Sequence, residues 1–330
     1  MNVYIDPSSQ AYFNNNLFDL ESSLNRDGSL LPTYRLKEKL NSEGVEINTA
    51  DLYQSGNMAY YSLGVLRDFE SLKSKGIELK SFFILEPPVV QPDLYAMLPY
   101  LSSIFERIYV HNIEGHGFSL SDVDTSKLEK FYWPQPYRQV NTKLWSKTDR
   151  LKKIVIINGN HKPRCLENEL YSQRIQFISD YSKYGIVDLY GRGWHRWWGR
   201  TSFWMPYWSN IMSIMSVYKG ECESKLDILS NYSFSLCFEN MAMNGYITEK
   251  IFDCFYSGTI PIYKGAPDIS DYIPPECFIS FDDFSDRGDL YKYLSSMTQV
   301  EMDGYRNSAR EFISGPDFIK YYDSYLNTVF

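Results

Sequence analysis

Residues 234–265 read FSLCFENMAMNGYITEKIFDCFYSGTIPIYKG. Two apolar runs, Phe234–Phe238 and Thr259–Tyr263, flank a segment holding Glu239, Asn240, Glu249 and Lys250. The pattern predicts strand, helix and strand, with the helix over 248–257 and the two strands parallel. Ile247, Ile251, Cys254 and Phe255 share one stripe of that helix. Gly245 breaks the loop before it, Thr248 stands at the side-chain cap position, and Gly258 ends it. Ligands of open parallel sheets bind beyond the carboxyl ends of the strands. Glu239 and Asn240 follow the first run, and Lys264 and Gly265 follow the second, so one edge is expected to carry both sets. Glu249 in the first helical turn suits the helix dipole, whereas Lys250 opposes it by roughly 0.3–1 kcal/mol. An anion at the helix start would remove the conflict. Pairing of Lys250 with Glu249 or Asp253 would do so equally, and spacing alone leaves both readings open.

The rhythm extends in both directions. Residues 1–5 predict a strand, and residues 31–53 a helix, a stop at Gly44 and a strand. Met58–Lys75 carries a helical pattern with Gly76 after it, and KSFFIL (80–85) and RIYVH (107–111) predict strands. Residues 134–153 are basic and poor in apolar periodicity, and read as a linker. A strand at 154–158, a helix over 167–182, and strands at 187–190 and 277–281 follow. Helical patterns around 301–313 and 317–328 close the chain. Alternating strands and helices predict an α/β fold with parallel sheets, and 330 residues predict two domains with a cleft between them. The expected boundaries are 1–140, 154–300 and a helical end, 301–330, for which packing back on the first domain is one arrangement.

Hydrophobic residues make up 44% and charged residues 22%, as in ordinary folded proteins. A net charge of −8 argues against a nucleic-acid binder. No apolar run reaches the ~18 residues of a membrane span, and MNVYIDPSSQ has no basic n-region. The expectation is a cytoplasmic protein, with peripheral contact at the inner face of a membrane as an option. Cys165, Cys222, Cys237, Cys254 and Cys277 form no CxxC pair and read as reduced, buried thiols.

The blocks FSLCFEN, GYITEKIFD, SGTIPIYKG and ISFDDF, in this order, resemble the donor-binding region of the α1,3-fucosyltransferase family, glycosyltransferase family 10. The resemblance implies a GT-B fold of two Rossmann-like domains, a GDP-fucose donor, an inverting mechanism and no required metal or other cofactor. It implies that Glu249 holds the ribose hydroxyls and Lys250 the diphosphate, that Tyr246 contacts the donor, and that Glu239 and Asn240 border the donor sugar. It also assigns Arg174, on the first helix of the second domain, to the phosphates; pairing with Asp180 or Glu169 on a surface helix is the plainer alternative. Chemistry agrees, since without a metal the charge on a leaving nucleoside diphosphate must be met by cations and helix N–H groups. Inversion needs a carboxylate base. Glu86, at the end of SFFILEPP, takes that place, with Leu85 where the family has Gly, and Glu114 is its rival. The acceptor expected is a glycan hydroxyl, of a surface polysaccharide or lipopolysaccharide, with a lipid-linked form open and the linkage of α1,3 type.

GRGWHRWWGRTSFWMPYW (191–208) holds five of the seven tryptophans. Trp194, Trp197 and Trp198 are candidate acceptor contacts, because indole faces stack on sugar rings. A membrane interface is a second reading and a packed cluster a third. DVD (122–124) is the manganese-binding triplet of GT-A transferases, which makes a metal-dependent GT-A enzyme one alternative; in a loop it reads equally as a solvated turn. The four histidines lack metal-ligand spacing, so no metal site is expected. A non-catalytic glycan-binding protein of the same fold is the alternative from outside enzymes.

Overall fold

The computed structural model describes residues 2–195 and 204–328. The chain divides into two compact units, Met1–Pro136 with Ile319–Phe330, and Tyr137–Phe318. Each is built on one six-stranded sheet in which all the strand pairs are parallel.

In the first unit the strands are β1 (Asn2–Asp6), β2 (Ile47–Thr49), β3 (Met58–Ser62), β4 (Glu78–Phe83), β5 (Arg107–Val110) and β6 (Leu128–Lys130), in the order β2-β1-β3-β4-β5-β6. Helix α1 (Leu31–Ser42) precedes β2, as expected. The helix predicted from Met58 is absent: Met58–Ser62 is a central strand, and only Phe69–Ser74 is helical. The reason is burial on both faces. Tyr60 packs with Phe69, Phe82 and Phe105 on one side, and Tyr61 with Ile5, Leu36 and Phe83 on the other. Such a strand shows no alternation, and its apolar run is indistinguishable from a buried helix by period.

The second unit contains β7 (Leu151–Ile157), β8 (Val187–Tyr190), β9 (Tyr218–Gly220), β10 (Tyr232–Phe238), β11 (Ile260–Lys264) and β12 (Ile279–Ser280), ordered β12-β11-β10-β7-β8-β9. Its helices include α2 (Tyr171–Ser182), α3 (Lys225–Leu229), α4 (Glu249–Ser257) and α5 (Gln299–Ser314). The central strands β10 and β11 pair Phe234 with Ile260 through Phe238 with Lys264. This register brings the residues after both strands to one edge.

The segment expected to be a linker belongs, from Tyr137 on, to the second unit. Asn141 caps a short helix, Thr142–Trp145. The Trp145 indole donates to the Phe255 carbonyl (2.9 Å), and Arg150 donates to the carbonyls of Leu144 and Ser257 (2.8 Å each). Its contacts are made by polar and cationic side chains on backbone carbonyls, which apolar periodicity cannot register. The closing helices divide: α5 lies in the second unit, while residues from Ile319 are counted with the first. Of the pattern at 317–328, only Ile319–Tyr322 is α-helical. Cys237, Cys254 and Cys277 are buried, but Cys165 and Cys222 are only half-buried, against the expectation for all five. Among the described residues, no helix is long and apolar enough to cross a membrane.

Candidate functional site

All seven residues of β10 are buried, and the next residue, Glu239, is 0% exposed. Its backbone N–H donates to the Lys264 carbonyl (2.9 Å), so the ladder to β11 continues past the strand end. A carboxylate at this depth must be fully partnered. Its Oε1 accepts the Thr248 backbone N–H (2.8 Å), the Thr248 hydroxyl lies 2.8 Å from Oε2, and Lys250 Nζ donates to Oε2 (2.9 Å). Lys250 also donates to the Thr248 hydroxyl (2.8 Å). Thr248 does stand at the N-cap of α4, but its side chain makes no cap bond. The hydroxyl instead donates to the Glu239 carboxylate, a charge-assisted bond. Gly258 closes α4 in the left-handed conformation, φ 71°.

Glu239, expected to border the donor sugar, is therefore enclosed and orients the first turn of α4. Gly265 explains how a backbone passes so near: a Cβ there would lie 2.6 Å from Glu239 Cγ and 2.5 Å from the Tyr263 hydroxyl. Lys264, Gly265, Asn168, Ala242, Asp282 and Tyr305 help to line an adjoining cavity of about 710 Å³.

Glu249, half-buried, lies between two cations: Lys225 Nζ is 3.4 Å and Lys250 Nζ 4.0 Å from its Oε1. Burial pushes the carboxyl up, but the charges of Lys250 and Lys225, with a backbone N–H, outweigh it and hold Glu249 at about 2. The Lys250 ammonium, which opposes the helix dipole, is thus balanced by Glu239 and Glu249 together. The pairing with Asp253 considered for it is made by Lys225 (3.3 Å).

Asn240 and Tyr246 meet: the Asn240 amide donates to the Tyr246 hydroxyl (3.3 Å). The Tyr246 ring is 1% exposed, so the aromatic expected to touch a donor is packed inside. Gly245 N–H, one residue before, is held by Asp268 Oδ1 (2.8 Å).

Arg174 on α2 is 2% exposed. Its Nη2 donates to the carbonyls of Phe238 (2.9 Å) and Glu239 (3.1 Å), and its buried Nε has no hydrogen-bond partner among the described residues. Burial lowers its guanidinium from the ordinary arginine value. The surface pairing weighed for it does not occur: Asp180 pairs with Arg287, and Glu169 accepts from Ser172. Arg174 thus reaches the strand end that carries Glu239, and fixes the turn there.

In the first unit Glu86 is half-buried just beyond β4. The carbonyls on either side are pinned, Leu85 O by His111 Nε2 (2.9 Å) and Glu86 O by the Tyr95 hydroxyl (3.1 Å). Glu114 is exposed in a loop closed by the Asn112 side chain, whose Oδ1 accepts from His116 N (2.9 Å). A group unseen in the sequence is Asp6, 2% exposed at the end of β1. It accepts Arg67 Nε (2.8 Å) and Nη2 (3.0 Å) and the Tyr60 hydroxyl (2.5 Å).

Trp194 is 1% exposed and its indole donates to the Asn158 carbonyl (2.6 Å). It is a core residue, not a surface platform for a sugar. Trp197 and Trp198 lie outside the described residues. In the DVD triplet Asp122 sits at φ 61° and Asp124 caps the turn Thr125–Lys127, as a solvated turn would. Among the described residues no cluster of three or more His, Cys, Asp or Glu could hold a metal.

Residues 161–307 match the model of glycosyltransferase family 10 (fucosyltransferase), C-terminal part. The chain is 40% identical over 84 residues to alpha-(1,3)-fucosyltransferase FucT of Helicobacter pylori, covering 24% of this chain and 18% of that protein. It is 32% identical over 128 residues to GDP-fucose protein O-fucosyltransferase 3 of Xenopus laevis, covering 38% of this chain and 25% of that one. The matched segments thus span a quarter or less of those relatives. A crystal structure of alpha1,3-fucosyltransferase with GDP superposes with a TM-score of 0.53 at 14% identity, covering 94% of this chain and 81% of that one. At that identity the likeness speaks for the fold, and the fold is GT-B, which overturns the GT-A alternative built on the DVD triplet. The chain thus has the GT-B fold, and its residues 161–307 are similar to the C-terminal part of glycosyltransferase family 10.

Proposed function

We propose that the protein is a glycosyltransferase that moves fucose, or a related 6-deoxy sugar, from a GDP-sugar to a glycan hydroxyl with inversion, forming an α1,3-type linkage without a metal. The observation that carries this reading is the arrangement of Glu239, Thr248, Glu249 and Lys250 at the edge of the second sheet, inside the family-matched segment.

The roles follow from the chemistry of each group. Glu249, ionised far below neutral pH, accepts from the two hydroxyls of a ribose. Lys250 and the N–H groups of the first turn of α4 face the diphosphate and take up the charge that develops as the glycosidic bond to it breaks. Glu239 fixes Lys250, and Arg174 fixes Glu239 through the backbone; Arg174 acts on the phosphates through that turn unless its guanidinium is released. Glu86 is the proposed base: it takes the proton of the acceptor hydroxyl as that oxygen attacks the anomeric carbon. Two pinned carbonyls hold its backbone for the task.

The test is a transfer assay with GDP-fucose and a panel of glycan acceptors in EDTA, with the product linkage read by NMR. Turnover to an inverted fucoside supports the proposal. Activity that vanishes in EDTA and returns on titration with manganese contradicts its metal-independent form. Glycan binding with no affinity for GDP and no turnover would identify a non-catalytic binding protein instead.

A further inference from the structure

Lys225 is not singled out by the sequence, and in the donor reading above it supplies only a charge beside Glu249. It is the first residue of α3, which is capped by Ser224: the Ser224 hydroxyl accepts the Asp227 N–H (3.1 Å). A cation in a first helical turn opposes the dipole, so the helix itself gains nothing from lysine there. Leu226 and Leu229 are buried and fix the orientation of α3. The ammonium reaches α4, with Nζ 3.4 Å from Glu249 Oε1 and 3.3 Å from Asp253 Oδ2. Glu249 and Asp253 are four residues apart on one helix, so their carboxylates share a face and repel. Lys225 lies against both. Lys250, the other cation near Glu249, is 4.0 Å away and already bound to Glu239 at 2.9 Å. The nearer cation to Glu249 is therefore Lys225, and it pairs with one carboxylate oxygen.

We infer that Lys225 is a positioning residue that fixes the rotation of the Glu249 carboxylate so that it meets the two hydroxyls of the nucleotide's ribose. The inference rests on the reading of Glu249 as the ribose-binding group. A carboxylate that bridges a vicinal diol must present both oxygens to the two hydroxyls, and a cation on Oε1 restricts rotation of the carboxylate plane before the ligand arrives. The saving is in preorganisation.

The experiment compares GDP with 2′,3′-dideoxy-GDP by calorimetry, for the parent chain, Lys225→Met, Lys225→Arg, Lys225→Gln and Glu249→Gln. Loss of one hydrogen bond to a charged group predicts that Lys225→Met binds GDP about tenfold more weakly. Its affinity for the dideoxy nucleotide should equal the parent's, and Lys225→Arg should restore most of the difference. If Lys225→Met does not fold, Lys225→Gln carries the same comparison. An equal loss for both nucleotides would make Lys225 a mere staple between α3 and α4 and overturn the inference. So would an undiminished affinity for GDP. A Glu249→Gln variant that binds GDP like the parent would remove the underlying reading of Glu249, an outcome distinct from a failure at Lys225 alone.

Discussion

At the carboxyl edge of the second sheet, Glu239, Thr248, Glu249 and Lys250 come from twelve consecutive positions, 239–250. At the carboxyl edge of the first sheet, Asp6 meets Tyr60 and Arg67 across sequence separations of 54 and 61, and Glu86 has its neighbouring carbonyl held by His111, 26 residues from Leu85. Both edges bury a carboxylate and satisfy it with a cation and a hydroxyl. The difference is how the partners are delivered. One strand–helix unit supplies the second edge, so its chemistry forms a motif. Separate strands supply the first, so its chemistry is only an arrangement in space. The cation of the second edge, Lys250, is held by Glu239 and Thr248 with its side chain 17% exposed, and it lies beside a helix N-terminus. In the first edge the cation, Arg67, is spent in a bidentate pair on Asp6, a geometry suited to locking structure.

The comparison can be sharpened by substitution. The largest effect is expected at Glu86→Gln, which keeps size and hydrogen bonding but cannot take a proton. Transfer should fall by ~10²–10⁴, with GDP affinity within a few-fold of the parent, as measured by steady-state kinetics and calorimetry. Near-parent transfer by this variant with a dead Glu114→Gln would move the role of base to Glu114.

Next comes Glu239→Gln. It removes the anionic partner of Lys250 in a pair whose side chains are 0% and 17% exposed, and breaking such a buried pair costs roughly 3–5 kcal/mol. Asp6→Asn should cost less, roughly 1–3 kcal/mol, because the Arg67 side chain is 45% exposed and can be rehydrated. Chemical denaturation measures both. The two edges separate in a second readout: Glu239→Gln should also weaken GDP binding, and Asp6→Asn should not. Equal effects of both on GDP would erase the distinction drawn between them.

A smaller effect concerns pH. The Glu249 carboxyl is held at about 2, below its ordinary 4.5, so its contribution to stability is complete above about 4.5 and is lost as pH falls toward 2. Glu249→Gln should flatten the loss of stability over that interval, as followed by thermal unfolding at stepped pH. An unchanged profile would mean that the two lysines do not hold the charge. The smallest effect is expected at Glu114→Gln, an exposed loop carboxylate: transfer within a few-fold of the parent.

The same contrast explains what was legible in the sequence. The β10–α4–β11 unit is legible nearly throughout, because periodicity and the Gly258 stop act within a few positions. Its interior is not. Neither the hydroxyl of Thr248 turning to Glu239 nor the enclosure of Glu239 follows from spacing, since both depend on how close β11 passes at Gly265. The sequence singles out Arg174 but not its depth. A helix position gives no warning that a guanidinium will reach under the sheet to two carbonyls of another element. Met58–Ser62 failed because a strand buried on both faces carries no period. Residues 137–153 failed because polar side chains tie them down. Trp194, a candidate acceptor contact by sequence, is packed instead, and only its buried indole bond separates the readings.

The most direct measurement is calorimetric titration of GDP into the intact chain and into Lys250→Ala and Glu249→Ala, with thermal unfolding of each as a control for folding. Hydrogen bonds to a charged group contribute about 1.5–3 kcal/mol, so the donor-site reading expects GDP to bind the parent and to bind each folded variant about tenfold to a hundredfold more weakly. A parent that does not bind GDP, or folded variants that bind it as the parent does, would contradict that reading.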